Sequence, residues 1–186
     1  MKRGFDIVIA AAGLLIGWPV LLLLALMVRI ESPGPALHWS RRVGRNNRLF
    51  PMPKFRTMRT DAPDVATHLL EDPGRWITPL GHFLRRSSLD ELPQLWSVLI
   101  GDMSLVGPRP ALHSQADLIA LRTDAGVERL RPGVTGWAQV NGRDDLPIPE
   151  KVRLDAEYLA RRSFAFDLKI IAATALAAVT ARGVSH

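Results

Sequence analysis

Hydrophobic positions are spread unevenly along the chain. From Ile7 to Val28 the sequence reads IVIAAAGLLIGWPVLLLLALMV without a charged residue, and roughly 20 such residues suffice to cross a bilayer core as a helix. The run ends at Arg29-Ile30-Glu31, with no small-residue cleavage site, so a signal peptide fits poorly. Pro19 lies near its middle and frees the Leu15 carbonyl, a change worth roughly 3 kcal/mol in a helix interior. Lipid offers no substitute donor. Basic residues flank both ends, Lys2 and Arg3 before the run and Arg29, Arg41, Arg42, Arg45 and Arg48 after it. A spanning helix favours a one-sided excess. The pattern therefore leans toward a re-entrant helix–break–helix whose two ends share one membrane face; a plain spanning helix is the alternative.

Beyond the turn cluster Ser32-Pro33-Gly34-Pro35, the apolar period changes from helical to alternating. Leu37, Trp39, Arg41 and Val43 alternate with their neighbours, turn residues follow at 44–47, and Leu49 to Met58 reads as a second extended stretch. Pro51 and Pro53 confine that stretch to an edge, and together the two predict a β-hairpin. Residues 59–76 are polar and read as a loop with a short helix. Thr78-Pro79 starts a helix with a hydroxyl cap and proline at the first position. Ser88 to Ile100 has a second helical pattern, with Leu92, Leu95, Trp96 and Leu99 in phase. The glycine- and proline-rich GDMSLVGPRP at 101–110 predicts a rigid loop, a helix follows over about 114–130, and RPGVTGWAQVNGR at 131–143 has too many glycines for either regular element. Residues 149–162 are again helical. Ile170 to Ala181 is uncharged but too short to span, so it belongs to the core or to the membrane interface.

Composition narrows the class of molecule. At 186 residues, 47% hydrophobic and 23% charged, the chain has the make-up of one folded domain plus an anchor. The absence of cysteine excludes a disulfide framework and a thiolate metal site. A net charge of +6 implies an anionic partner surface, without choosing among nucleic acid, lipid headgroups and phosphorylated small molecules.

Two features carry candidate chemistry. In SSLDELPQL, residues 87–95, Asp90 and Glu91 are adjacent acids. Ser88-x-x-Glu91 has the form of a capping box, a purely structural role. Pro93 disfavours a helix capped at Ser88; a start near Asp90 would instead place both carboxylates, ionised, at an exposed helix mouth. Such a carboxylate suits nucleophilic attack on phosphorus or magnesium binding. The second feature is a set of arginines in stiffened loops: Arg109 in Gly-Pro-Arg-Pro, Arg131 before Pro-Gly and Arg143 after Asn-Gly. Singly each is a solvated surface charge; on rigid loops, guanidinium forks lose little entropy in clamping phosphate.

Lys2-Arg3-x-Phe5-Asp6, KFRTM (54–58), SSLDELPQL, GDMSLVGPRP and RPGVTGWAQVNGR together resemble the monotopic phosphoglycosyl transferases, the bacterial polyprenyl-phosphate sugar-phosphotransferases, in their minimal catalytic form. The resemblance implies an α+β, mainly helical fold: a membrane anchor at 1–31, then a cytosolic-face catalytic domain at 32–186 with a β-hairpin and amphipathic interfacial helices, the C-terminal one included. It implies transfer of a sugar 1-phosphate from a UDP-sugar to polyprenyl (undecaprenyl) phosphate at the cytoplasmic face of the bacterial inner membrane, releasing UMP by a ping-pong mechanism through an aspartyl phosphosugar intermediate, as the first membrane step of exopolysaccharide, O-antigen or glycoprotein glycan assembly. Asp90 matches the nucleophile and ligand of a Mg2+ ion, Glu91 its acid partner acting on the incoming lipid phosphate, and Arg85, Arg109 and Arg143 the arginines around the phosphates. Where the family places Ser-Pro at the anchor break, this chain has Trp18-Pro19. The expected partners are the donor, the acceptor and the phospholipid membrane, with no nucleic acid; a homodimer is one assembly open to it. The competing readings are a nucleic-acid-binding protein, prompted by charge but unsupported by a recognition motif, and a non-catalytic basic scaffold on anionic lipid.

Overall fold

The computed structural model describes residues 1–63, 72–142 and 146–179; Arg143 lies outside them. Helix α1 (Lys2–Glu31) carries the whole apolar run and continues through Pro19. The expected division into two helices at Trp18-Pro19 is thus not seen: the proline lies within one element, and its missing donor removes one bond of the ladder without ending it. Ile7, Val8, Leu15, Ile16, Trp18, Leu22, Leu23 and Ile30 are all exposed, an apolar surface far larger than a water-facing helix carries. By length and composition α1 is able to cross a membrane.

Both ends of α1 are nevertheless fastened to the same body. At its start, Lys2 pairs with Asp167 at 2.6 Å. Arg3 donates to the Val98 and Leu99 carbonyls, and the buried Asp6 accepts from the Ser104 hydroxyl and the Leu105 amide. At its end, Arg56 donates to the Val28, Ser32 and Pro33 carbonyls, satisfying acceptors that a helix terminus otherwise leaves open. Glu31 accepts from the Leu80 amide.

The hairpin forms as the alternation predicts. Strands β1 (Leu37–Val43) and β2 (Leu49–Phe55) pair antiparallel from Leu37↔Phe55 to Val43↔Leu49. Asn46 and Asn47 take the left-handed conformation in the turn, which asparagine tolerates better than most residues. After the short α2 (Pro73–Trp76), helix α3 (Pro79–Ser87) begins at Thr78, whose hydroxyl accepts from the Gly81 amide as a cap. A 3₁₀ turn at Leu89–Glu91 leads to α4 (Gln94–Ile100) and then β3 (Ser104–Val106). Helix α5 (Ala116–Asp124) is shorter than the predicted 114–130, because Gly126 adopts φ +71 and the chain resumes as a 3₁₀ turn at Val127–Arg129.

The segment judged too glycine-rich for regular structure forms β4 (Gly133–Thr135) and α6 (Trp137–Val140). β4 runs parallel to β3, pairing Ser104 with Gly133 and Val106 with Thr135. The two motif loops approach so closely that a Cβ on Gly107 would lie 2.3 Å from the Arg131 carbonyl oxygen, and one on Gly133 2.1 Å from the Gly107 nitrogen. Those glycines let two backbones meet. Helices α7 (Ile148–Arg161) and α8 (Phe164–Val179) complete the fold. Phe50 and Met52 of β2, Val98 of α4, Val106 of β3, Tyr158 of α7 and Phe166 and Ile170 of α8 share one core, with Ala10 of α1. Helix α8 is therefore partly core, while Leu168 and Leu176 stay exposed. The architecture is α+β and mainly helical, as expected.

Candidate active site

Ser88 ends α3 in the left-handed conformation and makes no side-chain cap, so the capping box is not formed. The chain reverses there into the 3₁₀ turn, and Pro93 sits at the N-cap of α4, outside the helix, where its missing N–H is harmless. This geometry folds Asp90 inward. Rather than standing at an exposed helix mouth, Asp90 is only 7% exposed.

Lys54 reaches the same place from β2. It lies on the strand face that carries Phe50 and Met52, and its ammonium stands 2.7 Å from Glu91 Oε1 and 3.9 Å from Asp90 Oδ2. Arg109 closes on Glu91 from the other motif loop, its Nη2 at 3.0 Å from Oε1 and its Nη1 at 3.5 Å from Oε2. Arg109 is itself held: Arg122 donates to its carbonyl at 2.8 Å, and Arg122 is fixed by two bonds to the buried Asp155. Arg85, on the last turn of α3, donates from Nε to the Thr57 hydroxyl at 2.9 Å and acts electrostatically on Asp90. The structure thus brings Asp90, Glu91, Arg85 and Arg109 together.

The adjacent acids have opposite environments. Burial pushes the Asp90 carboxyl above its ordinary value; Lys54 opposes this, the Glu91 charge adds to it, and Arg85 and Arg109 oppose it. Burial would also raise Glu91, but the charges and hydrogen bonds of Arg109 and Lys54 overturn that and hold it well below the carboxylate range. Glu91 is a saturated anion and a weak proton acceptor. Asp90 accepts no hydrogen bond from any described residue and has only the longer contact to Lys54. A buried carboxylate in that condition is costly unless a cation or a substrate completes it.

The chemistry of this donor set is compatible with Mg2+. No group of three metal-binding side chains occurs among the described residues, but Mg2+ commonly takes one or two carboxylates and fills its octahedron with water and substrate phosphate. Asp90 has oxygens to give; those of Glu91 are engaged.

Three residues at or supporting this site, Lys54, Arg122 and Asp155, were not singled out from sequence alone. Lys54 was quoted only as part of KFRTM, yet the alternation Phe50-x-Met52-x-Lys54 places a lysine on the apolar face of a strand, which is a usable signal. The Arg122–Asp155 support had no local signature. Arg131, grouped with Arg109 on the sequence, lies elsewhere, in a separate cavity.

The chain matches the family described as bacterial sugar transferase over residues 1–181. It is 42% identical over 183 residues to an undecaprenyl-phosphate glucose phosphotransferase of Komagataeibacter xylinus, covering 91% of this chain and 34% of the relative. It is 41% identical over 179 residues to the UDP-glucose:undecaprenyl-phosphate glucose-1-phosphate transferase of Escherichia coli K12, covering 92% of this chain and 38% of the relative. The chain therefore spans about a third of the length of these two. An uncharacterised sugar transferase of Bacillus subtilis, EpsL, is 39% identical over 188 residues, covering all of this chain and 91% of the relative. A match over nearly every residue, with Asp90, Glu91, Arg85 and Arg109 gathered at one place, makes this chain a member of the bacterial sugar transferase family.

Proposed function

We propose that the protein transfers a sugar 1-phosphate from a UDP-sugar to polyprenyl (undecaprenyl) phosphate at the cytoplasmic face of the bacterial inner membrane, as an early step in glycan assembly. The single observation that carries this reading is a buried Asp90 that accepts no hydrogen bond from any described residue, set among Lys54, Arg85 and Arg109. The names of the relatives supply the substrate classes, since they include UDP-glucose and undecaprenyl phosphate.

The reaction runs in two displacements. An Asp90 carboxylate oxygen attacks the β-phosphorus of the donor; the bond from that phosphorus to the bridging oxygen breaks, and UMP leaves with the electron pair. An oxygen of the lipid phosphate then attacks the same phosphorus, the bond to Asp90 breaks, and a polyprenyl diphosphosugar departs with the carboxylate restored. Asp90 is the residue that would hold Mg2+, which when bound supplies positive charge against the donor pyrophosphate. Burial strips water from the Asp90 carboxylate and raises its pKa, while Lys54, Arg85 and Arg109 oppose that rise and favour the ionised form that attacks. Arg109 is aimed at the transferring phosphoryl oxygens, where fixed positive charge lowers the barrier most. Arg143, outside the described residues, is proposed from the resemblance to join it. Glu91 holds Lys54 and Arg109 in place.

Helix α1 fits the same account. Its start and its end both bind one domain, which favours an anchor whose two ends stay on one membrane face and so hold the site beside its lipid acceptor. Confinement of that kind removes much of the entropy of encounter. The test is UMP release by purified protein with Mg2+, polyprenyl phosphate and a panel of UDP-sugars. Sustained release with one donor, dependent on the lipid phosphate, is the expected result; no release with any donor in the panel would overturn the proposal.

A further inference from the structure

A second cavity lies outside the acid-bearing site. Its volume is about 410 Å³ and it is lined by six cations, Lys2, Arg3, Arg45, Arg129, Arg131 and Arg162. Only two acids share the lining, Asp6 and Asp167, and their four oxygens are already used. Asp6 accepts from the Ser104 hydroxyl and the Leu105 amide, and Asp167 from Lys2 and the Tyr158 hydroxyl. Lys2 and Arg3 are likewise committed to the wall. Arg131 and Arg162 make no ion pair among the described residues. The cavity is therefore a concave site whose described lining carries an excess of positive charge, suited to a phosphate-bearing ligand.

Its position narrows the ligand further. Its lining includes Lys2, Arg3 and Asp6 from the start of α1 and Phe164 from the start of α8, and Phe5 packs edge-on against Phe164 at 5.2 Å. Ile7, Val8 and Ile9 on α1 and Leu168 on α8 are exposed next along the chain. A ligand with an anionic head and apolar tails would have both parts accommodated, whereas a soluble anion leaves the apolar flank unused. We propose that this cavity holds the phosphate of an anionic membrane phospholipid headgroup, with Arg131 and Arg162 as its main contacts. Arg131, a motif residue remote from Asp90, thereby acquires a role: it seats the protein on anionic lipid at the N-terminal end of the anchor.

The test uses the full chain in neutral detergent, titrated with short-chain phosphatidylglycerol, short-chain phosphatidylcholine and inorganic phosphate. Phosphatidylglycerol should bind at least tenfold tighter than either of the others. Arg131→Gln/Arg162→Gln should weaken it roughly 30-fold, two cations near a membrane surface being involved, while Arg131→Lys/Arg162→Lys retains most of the affinity. Equal binding of the two lipids, or an unchanged double glutamine variant, overturns the proposal. Inorganic phosphate binding as tightly as phosphatidylglycerol makes this a soluble-anion site and overturns the lipid assignment. Should the glutamine variant not fold, a photoactivatable phosphatidylglycerol on the unaltered protein decides: crosslinks on the lining residues Arg45, Arg129, Arg131, Arg162 or Phe164 support the site, and crosslinks found only on residues that do not line it refute it.

Discussion

Asp90 and Asp155 are both buried aspartates with cations nearby, and they have opposite fates. Asp155, on α7, is 1% exposed and takes two bonds from one guanidinium, at 2.9 and 2.6 Å from Arg122. The charge of that carboxylate is directly paired, and Arg122 gives a further N–H to the Arg109 carbonyl. Asp90 lies almost as deep, yet its nearest cation stands 3.9 Å away and no described residue donates a hydrogen bond to it. Burial raises both carboxyls, and in both a neighbouring cation opposes the rise. The pair that is complete supports a loop. The carboxylate left incomplete is the one with bonding capacity for a reaction.

Breaking each member in turn should separate chemistry from stability. Asp90→Asn should reduce turnover on the order of 10⁴-fold or more, since an amide does not attack phosphorus. Its melting temperature should stay level or rise at neutral pH. The sign follows from the raised folded-state pKa: the contribution of such a carboxyl is most favourable below its unfolded value and is lost as pH rises through the folded value, so replacing the charge removes a cost. A clear fall in stability would mean that Asp90 is a structural anion after all. Asp155→Asn should do the reverse. Leaving Arg122 buried beside a neutral amide should cost about 3 kcal/mol, visible in thermal or denaturant unfolding, with the loss of activity following from the loosened Arg109 loop.

Smaller changes test the electrostatics within the site. If Asp90 is the proposed nucleophile, its protonated form cannot attack, so the acid limb of the rate profile should lie above the pH at which an ordinary aspartate titrates. Lys54→Met should lower turnover by roughly 10²-fold and move that limb to higher pH, because the main cation opposing burial is gone. Glu91→Gln should move it to lower pH, since Glu91's charge adds to the rise in Asp90 and its loss frees Lys54. Shifts of the same sign in the two variants would break the assignment of roles.

Much of this was legible before the fold. The long apolar run, the alternating hairpin strands and the Thr78 cap are local signals, and each produced the element it predicts. The failures are tertiary. Gly107 and Gly133 read as loop glycines, yet they serve a parallel strand pair that forms only when two distant motifs meet. Pro19 reads as a break, yet α1 continues through it. The motif singled out Asp90 as a candidate, but its burial goes with Lys54 arriving from β2 and with a left-handed Ser88, neither of which the local pattern of SSLDELPQL encodes.

The central claim is that Asp90 forms a bond to phosphorus, and one measurement addresses it directly. Protein mixed with UDP-sugar and Mg2+ but no lipid phosphate should release about one UMP per active site and then stop. Mass spectrometry of the trapped protein should find the added sugar phosphate on the peptide containing Asp90, with none on Asp90→Asn. An adduct on another residue, or UMP release that begins only when the lipid phosphate is added, would contradict the account.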